Sequence, residues 1–193
     1  MVYPSQTMPL SGPDWVARFP SSDKVDDLSE PFRANIRLFL AALKAAHAKV
    51  VISATFRPPE RAYLMHHSFR IARKGDDPAK IKALPGVDIQ WVHETPLGAP
   101  DPVASKAAAE QMVQAYDVAF QPAFPSRHSD GEAIDMDIKW LKTLIIQTSD
   151  GSTTSIVSSP KNGAGNTELH KVGLSYGVKK FVRDKPHWSS DGT

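Results

Sequence analysis

The chain has 193 residues, 41% of them hydrophobic and 23% charged, enough for one domain with a real core and too few for two full ones. Its 23 Lys and Arg face 21 Asp and Glu, a formal charge of +2, and no Lys/Arg run marks a nucleic-acid partner. This slight basic bias suits an anionic polymer such as a cell wall. There is no cysteine, which excludes disulfides and thiolate metal sites, so any metal must be held by His, Asp or Glu.

The opening MVYPSQTMPLSGPDW lacks a basic segment followed by an apolar run. No stretch reaches the ~18 apolar residues that a membrane span needs. The expectation is a chain made in the cytoplasm without a signal peptide or membrane span, which reaches any external target by release or injection. Residues 1–27, rich in Pro, Ser and Asp, read as an irregular lead to a single domain covering 1–193.

EPFRANIRLFLAALKAAHA reads as a helix, with Pro31 in its first turn and Phe32, Ile36, Phe39, Leu40 and Leu43 on one core-facing stripe. KVVISATF, a β-branched run, predicts a short buried strand ending near Thr55. RPPERAYLMHHSFRIARKG restarts as a helix after its prolines and stops at Gly75. The long segment that follows, holding four prolines and two glycines, is irregular, and such loops are often functional.

PVASKAAAEQMVQAYDVAF predicts a third helix and EAIDMDI an alternating strand. LKTLIIQTSDGSTTSIVSS predicts a hairpin turning at Asp150-Gly151. NTELHKVGLSYG reads as a short helix capped by Asn166 or Thr167 and closed around Gly173, and KPHWS as a last strand. Helices come first and strands cluster late, which predicts α+β.

The stretch SRHSDGEAIDMDI, residues 126–138, carries the chemistry. Asp135 and Asp137 have the two-residue spacing that puts both on one strand face. His128 precedes a turn that Gly131 can close with positive φ, so His128 and Asp135 can aim at one point. Imidazole and carboxylate are good Zn²⁺ ligands, but two make a poor site. A third would come from His47, His66, His67, His93, His170 or His187. His187 stands out, because RDKPHW places Asp184 three residues before it and Pro186 stiffens the approach. A zinc held by three ligands keeps one position for water, and Asp184 would take that water's proton.

These residues carry a resemblance. SRHSDGEAIDMD resembles the Ser-x-His-x-x-Gly-x-Ala-x-Asp signature of the zinc D-Ala-D-Ala peptidases, a group that includes the lysostaphin-type peptidases and the hedgehog signalling domain. Ser126, His128, Gly131, Ala133 and Asp135 stand at its five fixed positions. VGLSYGVKKFVRDKPHW is similar to that family's closing segment, which runs Gly-Leu-x-Trp-Gly and ends in acid-x-Pro-His. Tyr176 replaces the usual Trp, and Val178 stands where a second Gly is common. SATFRPPERAYL resembles the upstream Gly-Tyr-Arg-Ser segment, so Arg57 falls on an arginine that in the family faces the substrate carbonyl and the developing oxyanion.

The resemblance covers roughly residues 35–189, and departs in 74–102 and in the hairpin 143–159. It implies a small antiparallel sheet carrying a zinc site, flanked by N-terminal helices. It also implies a monomeric metallopeptidase acting on peptidoglycan stem peptides. Members either remove terminal D-Ala as carboxypeptidases or cut L-Ala–D-Glu and similar bonds as endopeptidases, many of them in phage lysis; an injected toxin is the other setting. On this reading His128, Asp135 and His187 hold zinc, Asp184 is the general base and Arg57 steadies the oxyanion. Ser126 either touches substrate or merely caps the turn.

Asp137 reads as a supporting residue. His66, His67 and His170 read as packing or surface residues. Trp188 is either core or a wall of the cleft. The competing functions are a zinc-stabilised binding module and a structural phage protein that keeps the fold. Asp184 argues against the module, which has no need of an acid there.

Overall fold

A computed structural model describes residues 8–193. Of the irregular lead predicted over residues 1–27, residues 1–7 lie outside this range. In chain order the elements are α1 (Phe32–Ala45), β1 (Lys49–Ala54), α2 (Pro59–Phe69), α3 (Pro102–Ala115), β2 (Ala133–Lys139), β3 (Leu144–Gln147), β4 (Thr153–Ile156), α4 (Thr167–Ser175), β5 (Lys179–Lys180) and β6 (His187–Ser189). The fold is α+β, with the strands antiparallel. The described residues group into two compact units. One comprises the residues up to Pro20 with Pro58–Ser126, the other Ser21–Arg57 with Arg127–Thr193.

The first unit is built on α2 and α3. Pro59 starts α2, where its missing N–H has no partner to lose. After Phe69 the helix widens into a π turn over Arg70–Lys74 and stops at Gly75, whose φ of 77° lies in the left-handed region. The Asp101 carboxylate caps α3 by accepting the Ala104 N–H at 2.9 Å. Tyr63, Leu64, Met112 and Val113 from these helices bury against Trp15 and Trp91. The segment after Gly75 is irregular, with one tight turn at Pro78–Lys80 and isolated bridges.

The second unit holds a four-stranded sheet in the order β1-β2-β6-β5 and a separate β3–β4 hairpin. Alternation on β2 decides its faces. Ile134, Met136 and Ile138 are fully buried, while Asp135, Asp137 and Lys139 take the opposite face. The apolar face packs under α1, whose Phe32, Ile36, Phe39 and Leu43 are all buried as their spacing predicts. Phe39 meets Trp188 of β6 at 5.6 Å and Tyr176 at 5.9 Å between ring centroids. Trp188 is therefore core.

The predicted burial of β1 holds for one side only. Alternate residues Lys49, Val51 and Ser53 are exposed, because β1 is an edge strand with one open face. Its register with β2 runs Lys49↔Lys139, Val51↔Asp137 and Ile52↔Met136, then shifts by a bulge so that Ala54 faces Asp135.

The closure of α4 also differs from expectation. Asn166 caps it, its side chain accepting the Leu169 N–H at 3.0 Å, but the helix runs through Gly173. Gly177, at φ 76°, makes the turn that ends it. Gly173 serves close approach instead: a Cβ there would stand 2.6 Å from the Trp188 ring and 2.8 Å from the Val178 carbonyl. Gly173→Ala should therefore lower stability by about 1–3 kcal/mol in denaturant melts, although alanine is the better helix former.

Candidate metal centre

Three side chains of the second unit converge on the open sheet face. Asp135 on β2 and His187 on β6 are register partners, so both point the same way. His128 comes from the turn before β2. Gly131, at φ 69°, closes that turn, and a Cβ there would stand 2.9 Å from the Ser29 nitrogen. The Ser29 N–H bonds the Gly131 carbonyl at 2.9 Å, tying the turn to the segment before α1. Arg127 braces it from the other side through ion pairs with Asp130, Glu132 and Asp191.

The ring orientations are fixed from behind. His128 Nδ1 lies 2.7 Å from the Thr55 carbonyl oxygen, and His187 Nε2 lies 3.1 Å from the Thr193 oxygen. A backbone oxygen can only accept, so these two ring nitrogens carry the protons. In the neutral rings, His128 Nε2 and His187 Nδ1 are then bare acceptors, and both face inward. They stand 3.2 Å apart, and the Asp135 Oδ1 lies 3.3 Å from the first and 3.0 Å from the second. A tetrahedral ion with ligand bonds of about 2.0–2.1 Å places its ligand atoms about 3.3–3.4 Å apart.

The three atoms thus have the spacing of one face of such a tetrahedron, and the group could hold a metal ion. A proton on one ring would place a donor between two of the atoms; a metal cation serves all three. Burial opposes the Asp135 charge; hydrogen bonds and positive charge from His128 and His187, which act only when a ring carries an inward proton as well, outweigh it and hold the carboxyl well below the usual range. The centre is sheltered: the side chains of His128, Asp135 and His187 are 3%, 16% and 11% exposed.

Other predicted site residues stand nearby in the chain or elsewhere. The Arg57 N–H donates to the His128 carbonyl at 3.1 Å, so the backbone carrying Arg57 is fastened to the backbone of a candidate ligand. Asp184 is exposed on the turn before β6, and its carbonyl accepts the His187 N–H at 3.2 Å. Ser126 is buried and is the last residue of the first unit. Asp137 faces the same side as Asp135 and reaches Lys139 at 3.9 Å.

The remaining candidate histidines have other surroundings. His66 Nδ1 bonds the Pro122 carbonyl at 2.7 Å. His67 packs among Tyr63, Trp91 and Phe124, and burial, aided by the His66 and Arg70 charges, pulls it down to about 4. His170 Nε2 bonds the Gly163 carbonyl at 2.7 Å.

One supporting residue has no signature in the sequence. Lys180 is 9% exposed, and its ammonium donates to the carbonyls of Phe181, Asp184 and His187. It thereby pins both ends of the turn that carries Asp184 and His187. Burial pulls the ammonium down to about 8 against the charges of Asp184 and Asp135.

Comparison of the sequence with family models and with curated proteins finds no match. The centre therefore stands on its own geometry.

Two outcomes follow from that geometry. His128→Ala or His187→Ala should abolish tight binding of one divalent ion per chain, read by elemental analysis after dialysis; full metal in both variants would sink the assignment. Lys180→Met should cost about 2 kcal/mol of stability and weaken the ion about tenfold in a chelator competition, while leaving all three ligands in place.

Proposed function

We propose that the chain is a zinc metallopeptidase that hydrolyses peptidoglycan stem peptides, with zinc held by His128, Asp135 and His187. The observation that carries this reading is the convergence of three inward acceptors at tetrahedral spacing, on the same residues that bear the resemblance to the zinc D-Ala-D-Ala peptidases. Two imidazoles and one carboxylate are an N/O set that suits zinc and leaves a fourth position for chemistry. When bound, zinc supplies a Lewis acid that polarises the scissile carbonyl and makes a water acidic near neutral pH.

The chain's own residues supply the rest. Asp184, exposed on the turn that leads into His187, takes the proton of the attacking water. As the C–N bond breaks, it returns that proton to the leaving amine. Arg57, tethered through its backbone to His128, brings a guanidinium to the oxygen on which negative charge develops. The mild excess of basic residues suits the anionic polymer. The substrate lies in the cell wall, which the protein reaches by release or injection, and the protein acts as a monomer.

Muropeptide release from purified cell wall, with products identified by mass spectrometry, tests the reading and names the bond cut. Asp184→Asn should keep the fold and the zinc and lose about 10²–10⁴-fold in rate. Arg57→Ala should lose about 10²-fold or more at unchanged zinc content. Equal release by wild type and Asp184→Asn at matched zinc would remove Asp184 from the mechanism. No release by any zinc-loaded form would refute the peptidase and leave a binding module.

A further inference from the structure

The open face of the second unit continues past the metal centre. A groove of about 720 Å³ runs beside the far half of β2, lined by Lys49, Lys139, Lys161, Lys185, Asp137 and Asn162 among others. Four ammonium groups and one carboxylate line it, whereas the whole chain nearly balances 23 basic against 21 acidic residues. Of the four lysines only Lys139 reaches an acid among the described residues, Asp137 at 3.9 Å.

Lys49 and Lys139 are direct register partners on the β1–β2 pair. Like charges placed directly opposite on one sheet face destabilise the pairing, so the fold alone gives no reason for them. The wall opposite the strands is fixed. Asn162 is buried and donates to the Met136 carbonyl at 2.6 Å, which holds the 159–162 loop against β2.

We infer that this groove is the substrate's anchoring subsite, and that it takes an extended peptide by a free carboxylate. The inference rests on the peptidase reading and adds to it which end of the face the substrate occupies and what chemistry it must carry. Asp135 and Lys139 are four residues apart on one strand, or about 13 Å at the usual rise of ~3.3 Å per residue. A peptide lying along β2 with its scissile bond at the centre therefore presents its carboxylate to Lys49 and Lys139 some three to four residues away. A phosphate polymer is the poorer fit. The lining has no arginine, and its one large aromatic, Trp140, is 5% exposed and offers no stacking platform.

The probe is a fluorescein-labelled stem peptide, L-Ala-γ-D-Glu-L-Lys-D-Ala, beside its counterpart with every carboxyl amidated. Binding is read by polarisation on zinc-loaded protein in the Asp184→Asn background, and hydrolysis in the wild-type background, each with and without Lys49→Gln/Lys139→Gln. The double variant should bind the acidic peptide about fivefold more weakly, as solvated ion pairs allow, and the amidated peptide equally. Salt at 0.5 M should erase the difference, and zinc content should not change.

Equal affinity of unsubstituted Lys49/Lys139 protein for both peptides, unchanged affinity in the double variant, or no binding of either peptide would overturn the inference. Displacement of the acidic peptide by an equal concentration of single-stranded oligonucleotide would also overturn it. Lysine-dependent binding without hydrolysis would uphold the groove and remove the peptidase. Hydrolysis with no lysine dependence would do the reverse.

Discussion

Two imidazole rings and a carboxylate are pressed together with their acceptors facing inward, and each ring is turned that way by a backbone oxygen behind it. His128 is set by Thr55 and His187 by Thr193. Without those two bonds either ring could flip and present a proton to the centre, which would satisfy Asp135 internally and leave nothing for a cation to do. Three acceptors that face one point within a sheltered pocket repel one another, and a cation or a shared proton at their centre relieves that repulsion.

Much of the second unit can be understood as holding those three groups in place. β2 supplies Asp135 on its open face because its other face is committed to Ile134, Met136 and Ile138 in the core. β6 supplies His187 because its neighbour Trp188 is locked between Phe39 and the close surface of Gly173. The apolar side of each strand is thus the anchor for the polar side. Lys180 adds a polar anchor of its own, spending three donors on the carbonyls of a single turn.

Two members of the candidate metal group were legible in local spacing, a histidine before a glycine turn and a carboxylate on the strand that follows; His187, 52 residues further on, stood out only through the acid and proline that precede it. The helical stripe of α1 was legible for the same reason. What stayed hidden acts through the backbone or at a distance. The backbone oxygens of Thr55 and Thr193 belong to no side-chain pattern, and β5, two residues long, is too short to show a period. The exposed half of β1 was masked by the run Val50-Val51-Ile52, in which the solvent-facing Val51 looks as buried as its neighbours. Gly173 was read as a helix end because glycine often marks one; only the Trp188 ring reveals that its missing side chain is a matter of room. Nor does linear order reveal that the two compact units each gather segments from separate stretches of the chain.

The bulge in β1 separates two tasks that share one strand. Up to Ile52 the strand keeps step with β2 and serves the sheet. Beyond it, Ser53 is the surplus residue, and the chain arrives at Thr55 half a pleat out of phase. Carbonyl directions alternate along a strand, so this phase determines whether the Thr55 oxygen meets His128 or points away from it. A chain shortened by that one residue would keep the register up to Ile52 and put the Thr55 oxygen out of phase with His128. One residue of strand length therefore separates the part of β1 that serves the sheet from the part that orients His128.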